Sequence, residues 1–205
     1  MKKKKEVTTE NKTEVKEKKK QEVIKFGIYV DGAISAKNQR GGIGVVVISE
    51  DTGDEVLNYS SCYEYAGVTN NQMELEAAIN GLRQLFVLLF NVAIDEIRES
   101  KSKIMISLYS DSAYVINGIN EYYDKWMKNL WKTADGKPVK NRYLWKALYA
   151  CKILIETKAR TKCPDMSLRF VKVAGHSGDQ WNEKADELAQ IQAHGKKVNN
   201  TTKRK

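Results

Sequence analysis

The stretch Val23-Ile24-Lys25-Phe26-Gly27-Ile28-Tyr29-Val30, followed by Asp31-Gly32, is mostly apolar and stops at turn-forming residues. A short apolar run bounded in this way is typical of a largely buried β-strand. We predict a strand over residues 23–30 with Asp31 at its end. In α/β proteins ligands bind at the carboxyl ends of such strands.

The segments downstream predict an antiparallel meander. Ile43 to Ser49 and Glu55 to Tyr65 have strand character and are joined to the first strand and to each other by short polar connections. Thr69-Asn70-Asn71-Gln72 then supplies capping side chains for a long helix. That helix should bury a stripe at helical spacing, formed by Leu75, Ile79, Leu82, Leu85, Phe86 and Leu89.

The rest of the chain predicts two more strands, at residues 104–109 and 168–173, and helices at 144–157 and 180–193. Ser110-Asp111-Ser112 ends the fourth strand and can start another helix. This order favours an α/β fold with a five-stranded mixed sheet, three strands antiparallel and two parallel, flanked by helices.

Composition sets the domain boundaries. Residues 1–21 are rich in Lys, Glu and Thr and are predicted to be a disordered tail. Residues 22–194 form one predicted domain, and 195–205 form a second basic tail. A hydrophobic fraction of 41% supports a core, and a net charge of +9 suggests a polyanionic partner.

Membrane, secretory and disulfide-rich classes are excluded. No apolar run is long enough to span a membrane, and no apolar segment follows the lysines at the N-terminus. Cys62, Cys151 and Cys163 are far apart and odd in number, so they predict neither a disulfide framework nor a zinc site. We interpret them as thiols without chemistry in a reducing compartment and predict a cytoplasmic protein.

Four carboxylates are candidates for one site. If the first and fourth strands are parallel neighbours, about 4.8 Å apart, Asp31 and Asp111 emerge side by side. Glu74 is preferred to Glu76 as the inward-facing residue, because Ala78 and Gly81 share its helix face. Glu76 shares its face with Asn80 and Arg83, a pattern that predicts a solvated face.

Asp186 is preferred for a similar reason, since it lies beside Ala185 and Ala189, whereas Glu183 and Glu187 align with Gln190. For any one of these carboxylates a surface or capping role is the default. The hypothesis of a site therefore rests on their joint placement.

Clustered carboxylates repel one another unless cations neutralise them, and hard divalent ions such as Mg²⁺ prefer oxygen ligands. Two such ions about 3.5–4 Å apart can hold the attacking and leaving oxygens of a phosphodiester. His176, in a glycine-flanked loop before the last helix, could transfer protons there, or it could be structural. His194, near the polar tail, is not expected to take part.

These residues resemble the type 1 ribonucleases H. The resemblance runs from about Val23 to Ala193, and its five motifs occur in the family's order. They are Tyr29-Val30-Asp31-Gly32 with Gly41-Gly42-Ile43-Gly44, Thr69-Asn70-Asn71-Gln72-Met73-Glu74-Leu75, Tyr109-Ser110-Asp111-Ser112-Ala113-Tyr114-Val115, Gly175-His176-Ser177-Gly178, and Asn182-Glu183-Lys184-Ala185-Asp186-Glu187-Leu188-Ala189.

The resemblance implies the ribonuclease H-like fold and an endoribonuclease that hydrolyses the RNA strand of RNA–DNA hybrids, leaving 5′-phosphate and 3′-hydroxyl ends. It implies two Mg²⁺ ions, with Mn²⁺ as an alternative. Asp31 and Asp186 would hold the ion that activates water. Asp31, Glu74 and Asp111 would hold the ion at the leaving oxygen, and His176 would be a mobile helper.

Substrate contacts are also expected from the resemblance. Asn71 and Gln72 would contact the minor groove and Thr69 a phosphate, while Asn70 lies close enough to reach the groove. Capping of the helix is an equal alternative for Thr69 and Asn70. A basic protrusion would hold the DNA strand through Lys125, Lys128 and Lys132, with Trp126 and Trp131 either against the sugars or, as we favour, anchoring the protrusion.

Three departures from the family pattern are Ala113 in place of a common Gln, Ala174 in place of a common Lys, and a longer 85–103 segment. None removes a carboxylate.

The alternatives to a ribonuclease H are an inactive hybrid-binding module, an integrase-like DNA-processing nuclease, and a reverse-transcriptase fragment. We expect a monomer without an obligate protein partner. Its expected binding partner is the RNA–DNA hybrid, and no association with a membrane is expected.

Overall fold

A five-stranded mixed sheet forms the centre of the structure, a computed structural model that describes residues 22–64, 66–89, 102–162 and 166–195. The strands are β1 (Val23–Ser35), β2 (Arg40–Ser49), β3 (Glu55–Glu64), β4 (Lys103–Ser110) and β5 (Met166–Lys172). Their order in the sheet is β3-β2-β1-β4-β5. β2 pairs antiparallel with β1 and β3, and β4 pairs parallel with β1 and β5. The predicted fold class is confirmed.

The helices are α1 (Asn70–Leu88), α2 (Ala113–Asn117), α3 (Tyr123–Lys128), α4 (Arg142–Lys162) and α5 (Gln180–His194), with a π-helical turn at Gly118–Tyr122. Polar side chains fix where they begin. Thr69 and Gln72 form a reciprocal capping box at α1, in which the Thr69 side chain accepts from the Gln72 N–H and the Gln72 side chain accepts from the Thr69 N–H. Ser112 caps α2 and Asp179 caps α5.

The sheet is buried on both faces. Alternate residues of β1 separate the two cores, because Ile28 and Val30 pack in the cluster that contains α1 and α4, whereas Tyr29 packs with α5. The predicted stripe on α1 is confirmed, since five of its six residues are at most 1% exposed and Phe86 is partly buried against them.

Glycines in the central strands let both helix layers approach the backbone of the sheet. A Cβ on Gly32 would lie 2.3 Å from the carbonyl carbon of Met73 in α1. On the other face, a Cβ on Gly44 would lie 2.0 Å from the carbonyl oxygen of Ala185 in α5. Only glycine fits at these two positions, because real Cβ atoms do not approach other atoms so closely.

The prediction that β1 stops at Asp31 is wrong. The strand continues to Ser35 because it stays paired with β2, from Asp31 opposite Gly44 to Ser35 opposite Arg40. Its pairing with β4 does end near the predicted position, at Tyr29 opposite Tyr109. Asp31 is therefore inside a strand on its β2 side and at the end of the paired region on its β4 side.

Several predictions fall outside the described residues: both tails beyond 22–195, Cys163, Tyr65, and most of the longer 85–103 segment. Cys62 and Cys151 are free thiols. None of the helices in the described part of the chain is long and apolar enough to cross a membrane.

Gly44→Ala should lower the free energy of unfolding by about 2–3 kcal/mol, because the added methyl must push α5 away from β2. Chemical denaturation measures this change. Gly27→Ala is the matched control, since the nearest atom to its Cβ is a movable side-chain carbon of Ile48 at 3.0 Å. An equal loss in both variants would contradict the close packing of α5.

Candidate active site

Asp31 and Asp111 lie next to each other where the parallel strands separate. The register pairs Tyr29 with Tyr109, so the residues two positions further along, Asp31 and Asp111, are also opposite each other. Asp31, Asp111 and Glu74 each offer a carboxylate oxygen within 4.8 Å of the others. The predicted approach of the two aspartates is therefore observed.

Glu74 reaches this point from the second turn of α1, which the contact at Gly32 holds against β1. Its side chain is buried, and its Oε1 accepts a hydrogen bond from Asn70 Nδ2 at 3.3 Å. Its Oε2 is buried and has no hydrogen-bond partner among the described residues. An unpaired buried carboxylate oxygen is destabilising unless something else binds it.

Glu76 does not belong to the cluster, but the prediction that its helix face is solvated is wrong. Glu76 is half-buried and accepts a hydrogen bond from Tyr63 Oη at 3.3 Å. Asn80 on the same face is buried and donates to Tyr63 Oη. This face packs against β3, whose Tyr63 supplies the polar partner.

Asp186 approaches the cluster from α5 and is hydrogen bonded to Asp31. It is half-buried, and its Oδ1 accepts from Gln190 Nε2 at 3.2 Å. All four predicted carboxylates line one open cleft of about 240 Å³. The residues that line it are Asp31, Gly32, Ala33, Ile34, Asn70, Glu74, Asp111, His176, Asn182, Glu183, Asp186 and Gln190.

His176 lines the cleft and is exposed to solvent. Its φ of 50° is in the left-handed region, which residues other than glycine rarely adopt. The preceding Gly175 touches Asp111, because a Cβ there would lie 2.7 Å from Asp111 Oδ2. The loop thus presents an exposed imidazole next to the acidic cluster.

Burial and mutual repulsion make the cluster hard to ionise. Burial, the charges of Asp111 and Asp186, and the hydrogen bond with Asp186 raise the pKa of Asp31 from 3.8 to about 8. Burial and the charges of Asp31 and Asp111 raise the pKa of Glu74 from 4.5 to about 9. Burial and repulsion therefore favour the protonated form of each group in the absence of a cation.

These residues fit divalent cations. The donors are hard oxygens, which Mg²⁺ and Mn²⁺ prefer. Three donor atoms are close enough to share one ion, and the buried Glu74 Oε2 has no hydrogen-bond partner in the part of the chain that the structure describes. A cation would also remove the repulsion that raises the pKa values of Asp31 and Glu74. The acidic cluster therefore indicates the use of a divalent metal.

Comparison with known proteins identifies the family. The RNase H family model matches residues 23–194. The chain belongs to the ribonuclease H family. It is 42% identical over 162 residues to the ribonuclease H of Rhizobium johnstonii, which covers 79% of this chain and 87% of that protein. It is 38% identical over 166 residues to the ribonuclease H of Chlorobium luteolum, covering 80% and 92%.

Solved structures share the fold. The crystal structure of LC9-RNase H1, a type 1 RNase H, superposes with a TM-score of 0.59 at 21% identity, covering 85% of this chain and 74% of that one. LC11-RNase H1 gives a TM-score of 0.54 at 23% identity, covering 83% and 96%. The predicted ribonuclease H, a hydrolase that cuts the RNA strand of RNA–DNA hybrids, is confirmed by the family.

The residues expected to contact the groove flank the ribonuclease H cleft. Asn71 is exposed beside it, and Asn70 lines it while donating to Glu74. Thr69 is exposed and Gln72 is half-buried, and the hydrogen bonds between them form the capping box. Capping is thus present for Thr69, and contact with a substrate stays a prediction.

The basic protrusion is built on buried tryptophans. Trp131 is 8% exposed, meets Tyr123 edge-on, and lies under the guanidinium of Arg142. Trp126 is partly buried and packs on Trp145, with ring centroids 5.2 Å apart. This is the placement expected of anchors. The lysines of the protrusion, by contrast, are exposed: Lys125, Lys128 and Lys132.

Six cleft residues were not predicted as part of the site: Gly32, Ala33, Ile34, Asn182, Glu183 and Gln190. Asn182 and Gln190 lie one turn before and one turn after Asp186, so helical spacing alone could have found them. The prediction instead grouped Gln190 with Glu183 and Glu187. Ile34 was missed because β1 was expected to stop before it.

Cation binding should release protons at pH 7, because Asp31 and Glu74 must ionise to bind. Both folded-state pKa values lie above the ordinary ones, so the folded protein holds extra protons between about pH 4 and pH 9. In EDTA the free energy of unfolding should therefore fall as the pH rises across this range, and Mg²⁺ should restore most of it at the alkaline end.

Calorimetric titration in buffers of different ionisation enthalpy measures the released protons. Asp31→Asn removes one titrating group, so it should release fewer protons and lose less stability in EDTA above pH 8. Cation binding without any proton release would contradict the raised pKa values.

Proposed function

We propose that this chain hydrolyses the RNA strand of RNA–DNA hybrids at the cleft where Asp31, Glu74, Asp111 and Asp186 meet, with two divalent cations, Mg²⁺ or alternatively Mn²⁺. The observation that carries the proposal is the approach of three carboxylates within 4.8 Å, one of them with an unpaired buried oxygen. The resemblance implies products with 5′-phosphate and 3′-hydroxyl ends, which form when water attacks the phosphorus and the bond to the 3′-oxygen breaks.

The position of each of the four carboxylates determines its role. Asp31 is central, since it lies beside Asp111 and Glu74 on one side and Asp186 on the other. Asp31 and Asp186 would hold the ion that activates water, and Asp31, Glu74 and Asp111 would hold the ion at the leaving oxygen. When bound, such ions supply a more acidic water and neutralise the charge that develops on the phosphate.

His176 moves protons at the rim of the cleft. Its imidazole is exposed, and the Gly175 backbone beside it contacts Asp111. A histidine in this position can protonate a leaving oxygen or accept a proton from water near neutral pH. The exposed loop allows the ring to approach a bound phosphodiester without displacing a buried group.

Recognition of the hybrid uses its wide minor groove, where only the RNA strand displays 2′-hydroxyl groups. Asn71 and Gln72 lie at the start of α1 beside Glu74, so their amides contact the groove next to the reacting phosphate. Asn70 lines the cleft, and Thr69 contacts a phosphate in addition to capping α1. Lys125, Lys128 and Lys132 neutralise the DNA strand on the protrusion, whose rigidity depends on Trp126 and Trp131.

The chain acts as a monomer in the cytoplasm, without an obligate protein partner. All four carboxylates and the imidazole come from one chain, which supports activity as a monomer. The free thiols of Cys62 and Cys151 are compatible with a reducing compartment.

Cleavage of labelled substrates tests the proposal. RNA–DNA hybrid, double-stranded RNA and double-stranded DNA are each incubated with Mg²⁺ or EDTA. Only the RNA strand of the hybrid should be cut, and only with Mg²⁺. Asp31→Asn should reduce cleavage by more than the roughly 10- to 100-fold that loss of an outer-shell partner causes.

Glu76→Gln is the control, because Glu76 is a half-buried carboxylate on the same helix but outside the cleft. Its cleavage rate should stay near that of the unaltered chain. Tight hybrid binding without cleavage would instead indicate an inactive binding module, and cleavage of DNA would indicate an integrase-like nuclease.

Replacing Lys125, Lys128 and Lys132 together with Ala should weaken hybrid binding and flatten its salt dependence. Each lost phosphate contact lowers the slope of log affinity against log salt by about 0.9, so the slope should change by about 2–3. Fluorescence anisotropy over a salt series measures it. Lys25→Ala with Lys103→Ala, at the opposite end of the central strands, should leave the slope unchanged.

A further inference from the structure

Asn182 is a buried polar residue of the cleft with an unused acceptor. The residue is 4% exposed, and its Oδ1 has no hydrogen-bond partner in the described part of the chain. It lines the same cleft as the carboxylates and lies one turn before Asp186 on α5. The capping interaction with Asp179 uses only the backbone N–H of Asn182.

A second buried asparagine, in contrast to Asn182, uses its side-chain amide in hydrogen bonds. Asn80 on α1 is 9% exposed, but its Nδ2 donates to Tyr63 Oη at 3.2 Å and to the Glu76 carbonyl at 2.8 Å. Native proteins satisfy nearly all such groups, because an unpaired buried carbonyl has lost its hydration without replacement. We therefore expect the Asn182 carbonyl to accept a hydrogen bond from a donor that enters the cleft when a ligand binds there.

The groups that line the cleft with Asn182 restrict what that donor can be. Asp31, Glu183 and Asp186 are carboxylates, which only accept hydrogen bonds once they are ionised. The amides of Asn70 and Gln190 already donate to Glu74 and Asp186. The depth of the residue excludes a bulky group of a nucleic acid, since almost none of its surface is accessible. A water molecule is small enough, and a water bound to a divalent cation is a strong donor because the ion polarises it.

We propose that Asn182 is a positioning residue for the cation held by Asp31 and Asp186, and that its carbonyl accepts a hydrogen bond from a water this cation carries. This inference rests on the proposed function, because it assumes divalent cations in the cleft. Asn182 lies one turn before Asp186 on the same helix and lines the cleft with both aspartates. The amide then fixes the direction of the water relative to the ion.

Calorimetric titration of the full chain with Mg²⁺ and with Mn²⁺, without nucleic acid, tests the proposal. Asn182→Ala should weaken cation binding about tenfold, the range seen when an outer-shell partner of a metal is removed. Its thermal midpoint in EDTA should not fall, since the lost carbonyl makes no hydrogen bond in the cation-free protein. Asn182→Asp, of nearly the same shape, keeps the acceptor and adds charge, so it should bind the cation at least as tightly as the unaltered chain.

Asn80→Ala is the matched control, and it should lower the midpoint in EDTA without changing cation affinity. Unchanged cation affinity in Asn182→Ala, with a lower midpoint in EDTA, would overturn the inference and make Asn182 a structural residue. Weaker cation binding in Asn182→Asp would overturn it as well. Failure of the proposed function itself looks different, because the unaltered chain would then neither bind divalent cations nor cut the hybrid.

Discussion

At Gly32 and Gly44 the two helix layers come so close to the central strands that no side chain fits between them. The contact at Gly32 fixes the position of α1 against β1 and so places Glu74 close to Asp31. The contact at Gly44 does the same for α5 and Asp186. Asp31 is held inside β1 by its pairing with Gly44 of β2, and Asp111 follows directly after the end of β4. Regular backbone elements therefore bring the four carboxylates together.

This rigidity holds like charges together, which opposes folding. Apolar burial on both faces of the sheet supplies the stability that offsets it, through residues such as Ile28, Val45 and Leu75 that are fully buried. The repulsion that remains appears as the raised pKa values of Asp31 and Glu74. A site prepared in this way gains by binding cations, because each ion relieves an interaction that the fold itself imposes.

The sequence predicted most of the fold because its signals are local. Thr69 and Gln72 mark the start of α1, and the apolar spacing from Leu75 to Leu89 marks its buried face. The resemblance and the strand order together identified the four carboxylates that the cleft brings together. Each of these features depends on the spacing of residues along one segment or on a motif that can be read directly.

What the sequence did not predict depends on partners distant in the chain. β1 continues past Asp31 because β2 pairs with it as far as Arg40, and no local pattern at residues 33–35 required this. Glu76 is half-buried because Tyr63 of β3 covers it. The unpaired carbonyl of Asn182 depends on the whole geometry of the cleft, so a motif containing Asn182 could not show it.

The most direct measurement of the central claim is anomalous diffraction from crystals of the chain with an RNA–DNA hybrid and Mn²⁺, with Asp186 replaced by Asn to slow cleavage. We expect anomalous peaks between Asp31, Glu74 and Asp111 and beside residue 186, with the RNA strand over them and Asp31 touching each ion. Peaks away from these carboxylates, or the DNA strand over the cleft, would contradict it.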